Sequence, residues 1–341
     1  MNPTVPSFTQ FNFASSESTT RPPVLLLSGA DLARLLSPRD DLLAARAAFN
    51  ALTHASTPMP MHLPVPGGGF HAKAATYRQD GRDYVVLKLN GNFPANPATN
   101  GLPTIQGALL LCDAGNGALL AIMDSAEITR RRTAAASALA ATMLARKGAS
   151  RLAICGCGLQ GRAHLEQFAA HFDLDSVTLF DQDSHAAESL AADAHKRFGL
   201  KAHACDLSAA VADRDIVVTV TPSTTPFLFP DMISPGTFIA AAGADHPEKS
   251  EITPALMATA RRMLDSVTQC AAMGDLHHAL DAGMVDPAAP GDELVDVLTS
   301  RVPGRLADSD VILFDSTGLG MQDAASSVAA LQRAQHTDSP Q

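Results

Sequence analysis

Ile154-Cys155-Gly156-Cys157-Gly158-Leu159-Gln160-Gly161 packs three glycines and two cysteines into eight residues. It reads either as a glycine loop that cradles a phosphate or as a cysteine pair set for metal or redox chemistry. The flanks favour the first. Leu152-Ala153-Ile154 has the apolar character of a strand and the residues beyond the loop that of a helix, which is the context a dinucleotide-binding turn requires. There Gly156 permits the tight turn, Gly158 lets the backbone approach a pyrophosphate and Gly161 lets the helix pack closely on the strand. Leu159 and Gln160 open the helix, whose first N–H groups have no partner of their own and face the anion. Asp181 ends the next apolar run, where a carboxylate accepts hydrogen bonds from an adenosine ribose. Gln182 and Asp183 bring no cation for a 2′-phosphate, so NAD is expected ahead of NADP. Read instead as a helix cap, Asp181 leaves that choice open. C-x-C is too close for the usual C-x-x-C arrangement, and both cysteines read as passengers with no metal.

Outward from the loop, strands are expected near 151–155, 177–181, 216–221, 237–243 and 262–265, with helices near 160–171 and 184–197. That alternation is the signature of an α/β fold with a doubly wound parallel sheet. Val311 to Asp315 reads as a last strand before a final helix. Upstream, Ser28 and Ser37-Pro38 look like helix starts. Leu42, Leu43, Ala47, Phe49 and Leu52 recur at a spacing that suits a packed helix. Thr57 to Gly69, rich in Pro, Met and Gly, reads as a loop or edge region. Tyr84–Leu89, Ala108–Cys112 and Leu119–Met123 read as strands, and Ser125 to about Ala145 as a helix carrying Arg130-Arg131-Arg132. Arg130 and Arg131 are expected to be solvated charges on its face.

A chain of 341 residues is long enough for two domains. Its formal charge of −10 argues against a nucleic-acid partner, and no apolar run is long enough to span a bilayer, so no membrane partner is expected. Five cysteines, an odd number lying in apolar stretches, point to reduced thiols and a cytoplasmic location. Residues 1–22 are polar, lack the pattern of a signal peptide and read as a mobile tail, as do residues 335–341. The histidines form no H-E-x-x-H spacing, and His277-His278 reads as a polar helix face.

Several blocks together resemble the ornithine cyclodeaminase and mu-crystallin family. They are Lys88-Leu-Asn-Gly-Asn-Phe-Pro-Ala-Asn, Gly101-Leu-Pro-Thr-Ile-Gln-Gly, Met123-Asp-Ser-Ala-Glu-Ile-Thr, Arg132-Thr-Ala-Ala, the glycine loop, Thr219-Val-Thr, Gly243-Ala-Asp-His-Pro-Glu-Lys and Phe314-Asp-Ser-Thr-Gly, in the family's order. The resemblance implies a Rossmann NAD(P)-binding domain, residues 128–308. It also implies a second, α+β domain for substrate binding and dimerisation, built from both chain ends (23–127 plus 309–334), and a homodimer.

The chemistry implied is redox at the α-carbon of a small amino or imino acid. Lys88 matches the family's active-site lysine, expected to bind the substrate carboxylate and transfer a proton. Arg132 matches an arginine that grips that carboxylate or a cofactor phosphate through a forked contact. Thr133 is expected at the pyrophosphate and Thr221 under the nicotinamide. Asp245 is expected to do acid/base work at the substrate nitrogen. Where many members carry an arginine, this chain has His62 in Met59-Pro-Met-His62, and Lys73 is the candidate to supply the missing charge. Three readings follow: an NAD(P)-dependent reductase or dehydrogenase, for example of a cyclic ketimine such as pyrroline-2-carboxylate; an ornithine cyclodeaminase that releases ammonia and recycles its NAD; or a non-catalytic binder of NAD(P) or a small ligand. The departures at Pro103-Thr-Ile-Gln-Gly and Ser125-Ala-Glu-Ile-Thr lean toward the first.

Overall fold

The computed structural model describes residues 8–11, 23–53 and 58–337. These fall into two compact units, one running up to Arg132 and resuming at Leu319, the other spanning Thr133–Gly318.

The first unit is built on a seven-stranded sheet. Its strands are β1 (Thr9–Phe11), β2 (Val24–Leu27), β3 (Met61–Val65), β4 (Gly68–Gln79), β5 (Arg82–Asn92), β6 (Ile105–Asp113) and β7 (Leu119–Asp124). The spatial order is β1-β2-β7-β6-β5-β4-β3, antiparallel except where β2 runs parallel to β7. Side chains alternate between the two faces of such a sheet. On β5, Tyr84, Val86, Lys88 and Asn90 are buried while Leu87 and Leu89 are exposed. On the inner face the rows of Tyr84 and Val86 therefore lie to one side of the lysine and Asn90 to the other.

Several expectations need correction here. The region expected as a loop or edge holds the edge strand β3, in keeping with the edge alternative, but also the unexpected start of the twelve-residue β4. Two leading glycines and a run of small residues hide β4, because they are weak strand formers packed against a neighbour rather than an alternating apolar pattern. Thr57 lies outside the described residues. Thr9–Phe11, expected within a tail, pairs antiparallel with β2; the rest of 1–22 lies outside the described residues, apart from Phe8, which is buried. The final helix, Gly320–Thr337, continues past Gln335, and residues 338–341 lie outside the described set.

Ser28 and Ser37 both start helices, each with a reciprocal capping box, to Asp31 and Asp40. The expected stripe on the second of these, Pro38–Ala51, is rotated. Leu43 is exposed, and Ala44, Ala45, Ala48 and Phe49 are buried where this helix meets the final helix; small residues let the two approach closely. The rotation also buries Asp41, which pairs with Arg131 at 2.8 Å. Arg131 further donates to the Leu36 carbonyl at 2.5 Å. It is thus a buried strut, not a solvated charge. Arg130 is partly buried and pairs with Glu127 at 2.7 Å.

The second unit is an eight-stranded, wholly parallel sheet in the order β10-β9-β8-β11-β12-β15-β13-β14. Its strands are β8 (Arg151–Cys155), β9 (Ser176–Phe180), β10 (Lys201–Ala204), β11 (Ile216–Thr219), β12 (Phe238–Ala241), β13 (Arg261–Leu264), β14 (Asp292–Glu293) and β15 (Ile312–Asp315). The central strands are buried along their whole length, as expected where helices cover both faces. The direction of winding reverses between β8 and β11, the position at which folds of this Rossmann type bind ligands, beyond the carboxyl ends of the strands. Among the described residues no helix is long and apolar enough to cross a membrane.

Removing Arg131 takes away the buried ion pair that offsets the burial of the Asp41 carboxylate. Arg131→Met should cost about 3 kcal/mol in urea unfolding, and adding Asp41→Leu should restore most of it. A single variant as stable as the parent would show that the pair contributes nothing.

Candidate active site

Gly156 has φ +103°, and a Cβ there would lie 2.6 Å from the Val220 carbonyl oxygen. A Cβ on Gly161 would lie 2.1 Å from the Gly156 oxygen. Both positions exclude any side chain. Gly158 differs: it N-caps the helix Leu159–His171 with no side-chain cap, and among the described residues no atom lies within 4 Å of where its Cβ would stand. The open helix end and the bare backbone before it form the cradle that a pyrophosphate fits. Leu159 is 73% exposed at the mouth of the turn. Gln160 is anchored from behind, its carbonyl 2.8 Å from Nδ1 of the buried His164. Burial pushes the His164 pKa down to about 4, so the ring is neutral and Nδ1 carries the proton that the carbonyl accepts.

Asp181 closes the loop from the next strand. Its Oδ2 accepts from the Cys157 N–H at 2.7 Å and its Oδ1 from the Asp183 N–H at 3.0 Å. The helix Ser184–Phe198 is capped by Asp183, so the cap reading of Asp181 does not hold. Each carboxylate oxygen keeps a lone pair for a ribose hydroxyl. The cysteines of the loop are buried free thiols. Burial and the Asp181 charge push Cys157 up to about 12, and burial drives Cys155 well above the usual thiol range. Among the described residues no three His, Cys, Asp or Glu side chains are grouped to hold a metal ion.

At the carboxyl edge of the same sheet a buried carboxylate ties two loops together. Glu251 accepts from the Thr219 hydroxyl at 2.7 Å, the Thr221 N–H at 2.5 Å and the Gly243 N–H at 2.9 Å. Burial, reinforced by Asp275, pushes its pKa up to about 7. Asp245 follows Gly243 in the second of these loops. It is exposed and ion-paired with Lys249 at 2.6 Å. Thr133 is a buried residue of the helix Ser125–Leu144.

The inner face of the first unit's sheet gathers the other candidates. Lys88 is 4% exposed; its Nζ lies 2.6 Å from Asp323 Oδ2 and donates to Thr129 Oγ1 at 3.2 Å. Arg132, also buried, reaches Asp323 Oδ1 through Nε at 3.2 Å and Gln322 Oε1 through Nη1 at 3.0 Å. Among the described residues the Nε2 of buried Gln322 has no hydrogen-bond partner. Lys73 stands directly across from Lys88, and His62, His71 and Asn90 form the neighbouring row of the same face. The His62 and His71 rings stack with centroids 4.4 Å apart. Burial lowers the Lys88 pKa to about 7; Asp323 opposes the shift, and Arg132 and Lys73 add to it. For Asp323, burial acts upward, but Lys88, Arg132 and Lys73 outweigh it and hold its carboxyl below the ordinary range.

The structure therefore brings Lys88, Arg132, Lys73 and His62 to one face of the first unit. In the second unit it brings the glycine loop beside Asp181, and Thr221 together with the loop of Asp245 onto Glu251. Sequence reasoning missed Asp323, Gln322, His71, His164 and Glu251. Asp323 lies far along the chain from Lys88 and Arg132, and no local pattern marks it.

Taken together, the parallel sheet, its glycine cradle and a buried cationic cluster define a two-unit α/β protein of the dinucleotide-binding type. The chain belongs to the ornithine cyclodeaminase/mu-crystallin family, whose sequence model matches residues 40–338. It is 34% identical over 269 residues to the iminosuccinate reductase of Paracoccus denitrificans, covering 79% of this chain and 80% of that one. An archaeal alanine dehydrogenase dimer with bound NAD superposes with TM-score 0.87 at 30% identity, covering 93% of this chain and 98% of the other. The Thermococcus litoralis Δ1-pyrroline-2-carboxylate reductase, in complex with NADH and L-proline, superposes with TM-score 0.87 at 25% identity, covering 92% and 98%.

Gly158 separates packing from binding. Gly158→Ala fits the open space, so its melting temperature should stay within about 1 °C of the parent. The methyl group would hold a pyrophosphate off the backbone, and NADH affinity in a fluorescence titration should fall about ten-fold or more. Unchanged NADH binding would place the pyrophosphate elsewhere.

Proposed function

We propose that this protein is an NAD-dependent oxidoreductase acting at the α-carbon of a small imino or amino acid. The observation that carries the reading is the buried Lys88–Asp323–Arg132 cluster. Two cations are kept in place by one carboxylate, so the cluster retains positive charge for a substrate carboxylate. Arg132 offers a forked contact and Lys88 a point charge. Gly156, Gly158, Leu159, Gln160, Gly161 and Asp181, with Thr133 and Thr221, would hold NADH, which when bound would supply the hydride for the imine carbon. The nitrogen must then gain a proton, and Asp245 is the group assigned to hand it over. Reduction thus turns C=N into CH–NH with one hydride and one proton, and the reverse direction oxidises an amino acid.

The cyclodeaminase reading requires a site for a diamino acid, with a further group to hold its second ammonium. All five cysteines are free thiols, in keeping with a cytoplasmic setting.

Incubation with NADH and pyrroline-2-carboxylate should consume NADH, with no ammonia released from ornithine and NAD. Lys88→Ala should lower kcat/KM by about a thousand-fold; full activity in that variant would remove Lys88 from the chemistry. Because Lys88 titrates at about 7 and grips the carboxylate only as the ammonium, log kcat/KM should fall as pH rises through that value. Lys88→Arg should move this limb out of range, and an unmoved limb would assign it to another group.

The outer face of the same sheet gives a reason for a homodimer. Met61, Leu63, Leu87 and Leu89 are 47–52% exposed and adjoin Phe70 at 36%, an apolar patch of the kind that marks an interface. The similar alanine dehydrogenase is a dimer. Light scattering should give twice the chain mass. The pair Leu87→Asp and Leu89→Asp should yield monomers, and a variant that stays dimeric would move the interface elsewhere.

A further inference from the structure

Gln322 lies on the first turn of the final helix, Gly320–Thr337, with 1% of its surface exposed. That turn is set tightly against β4, since a Cβ on Gly320 would stand 2.5 Å from the Ala74 carbonyl oxygen. Gln322 Oε1 accepts twice, from Arg132 Nη1 at 3.0 Å and from the Leu319 N–H at 3.1 Å. Two donors on one oxygen decide which way the carboxamide points, because a reversed amide would turn its own N–H groups on both of them. Nε2 is therefore pinned beside the guanidinium, and among the described residues nothing accepts from it. A donor buried in that condition is costly. The fold keeps it in one cluster with Lys88, Arg132 and Asp323, all of them buried.

Glutamine rather than glutamate at this position matters for charge. A carboxylate here would orient Arg132 equally well, yet together with Asp323 it would cancel the charges of Lys88 and Arg132 and the attraction for an anion. The amide orients the arginine without consuming its charge and adds N–H donors of its own. Such donors suit a carboxylate oxygen. They do not suit an iminium or ammonium nitrogen, which is itself a donor.

We infer that Gln322 is a specificity-determining residue of the substrate site: its Nε2 donates to one oxygen of the substrate α-carboxylate while its Oε1 holds the Arg132 guanidinium against the other. This rests on the oxidoreductase reading and adds a residue to that site; no bond to Gln322 forms or breaks in the reaction.

Gln322→Glu keeps the oxygen that Arg132 and Leu319 use and exchanges Nε2 for a second oxygen, whereas Gln322→Met removes both polar atoms at similar volume. Both variants should raise KM for pyrroline-2-carboxylate about ten- to hundred-fold, the range for losing a hydrogen bond to a charged acceptor. The change in kcat should be about three-fold or less, and thermal melting shows that the variants fold. In the parent, carrying labelled glutamine, the Gln322 side-chain NH2 signal should shift downfield when L-proline is added with NADH, and this measurement decides alone where a variant melts early. A signal that stays in place, a Gln322→Met variant with the parent KM, or a loss confined to kcat would overturn the inference and leave the oxidoreductase reading standing. A parent that neither turns over the imine nor binds L-proline would overturn both.

Discussion

The buried contact between Lys88 and Asp323 is the constraint on which the first unit's site is arranged. An ammonium and a carboxylate taken out of water cost several kcal/mol each unless they find one another, and here they meet at 2.6 Å with almost no exposure. The pairing also draws three separate parts of the chain together: β5, the long helix that carries Arg132, and the final helix that carries Asp323. Because Asp323 answers two cations, the cluster is not neutral. It holds its members in place yet stays attractive to an anion, which is the property a carboxylate site needs.

The second unit uses buried acids differently. Glu251, Asp275, Asp315 and Asp265 face backbone N–H groups and hydroxyls rather than cations. Asp275 accepts from the N–H groups of Glu251 and Ile252 at 2.8 and 3.0 Å, and Asp265 from that of Gly318 at 2.7 Å. Burial, with Asp275 nearby, pushes Asp315 well above the carboxylate range. These acids tie the loops at the carboxyl ends of the strands by local hydrogen bonds, while the glycine turn is shaped by the space its missing side chains leave. Rigid strand ends and a bare helix N-terminus together form a place where a dinucleotide can lie.

How much of this could be read from the residues follows from the range of the interactions. The glycine loop, Asp181 and the strand–helix alternation are local patterns, and each stands where the sequence places it. Both serine caps are legible for the same reason. The packed face of the second helix is not: its burial is set by alanines and by Asp41 turning toward Arg131, a pairing across 90 residues of chain. Strand β4 has no apolar alternation to announce it. Lys88 and Arg132 can be singled out in their motifs, but Asp323, which holds them, is found only once the chain is folded.

The charge state of Lys88 tests the account most directly. In protein carrying labelled lysine, the side-chain NMR signal of Lys88 should titrate near pH 7, as its burial among like charges dictates. It should titrate lower still in Asp323→Asn, and higher when L-proline, with its carboxylate, is added. A Lys88 signal that titrates near the ordinary lysine value of about 10.4 and ignores both changes would contradict the buried cationic anchor and the function built on it.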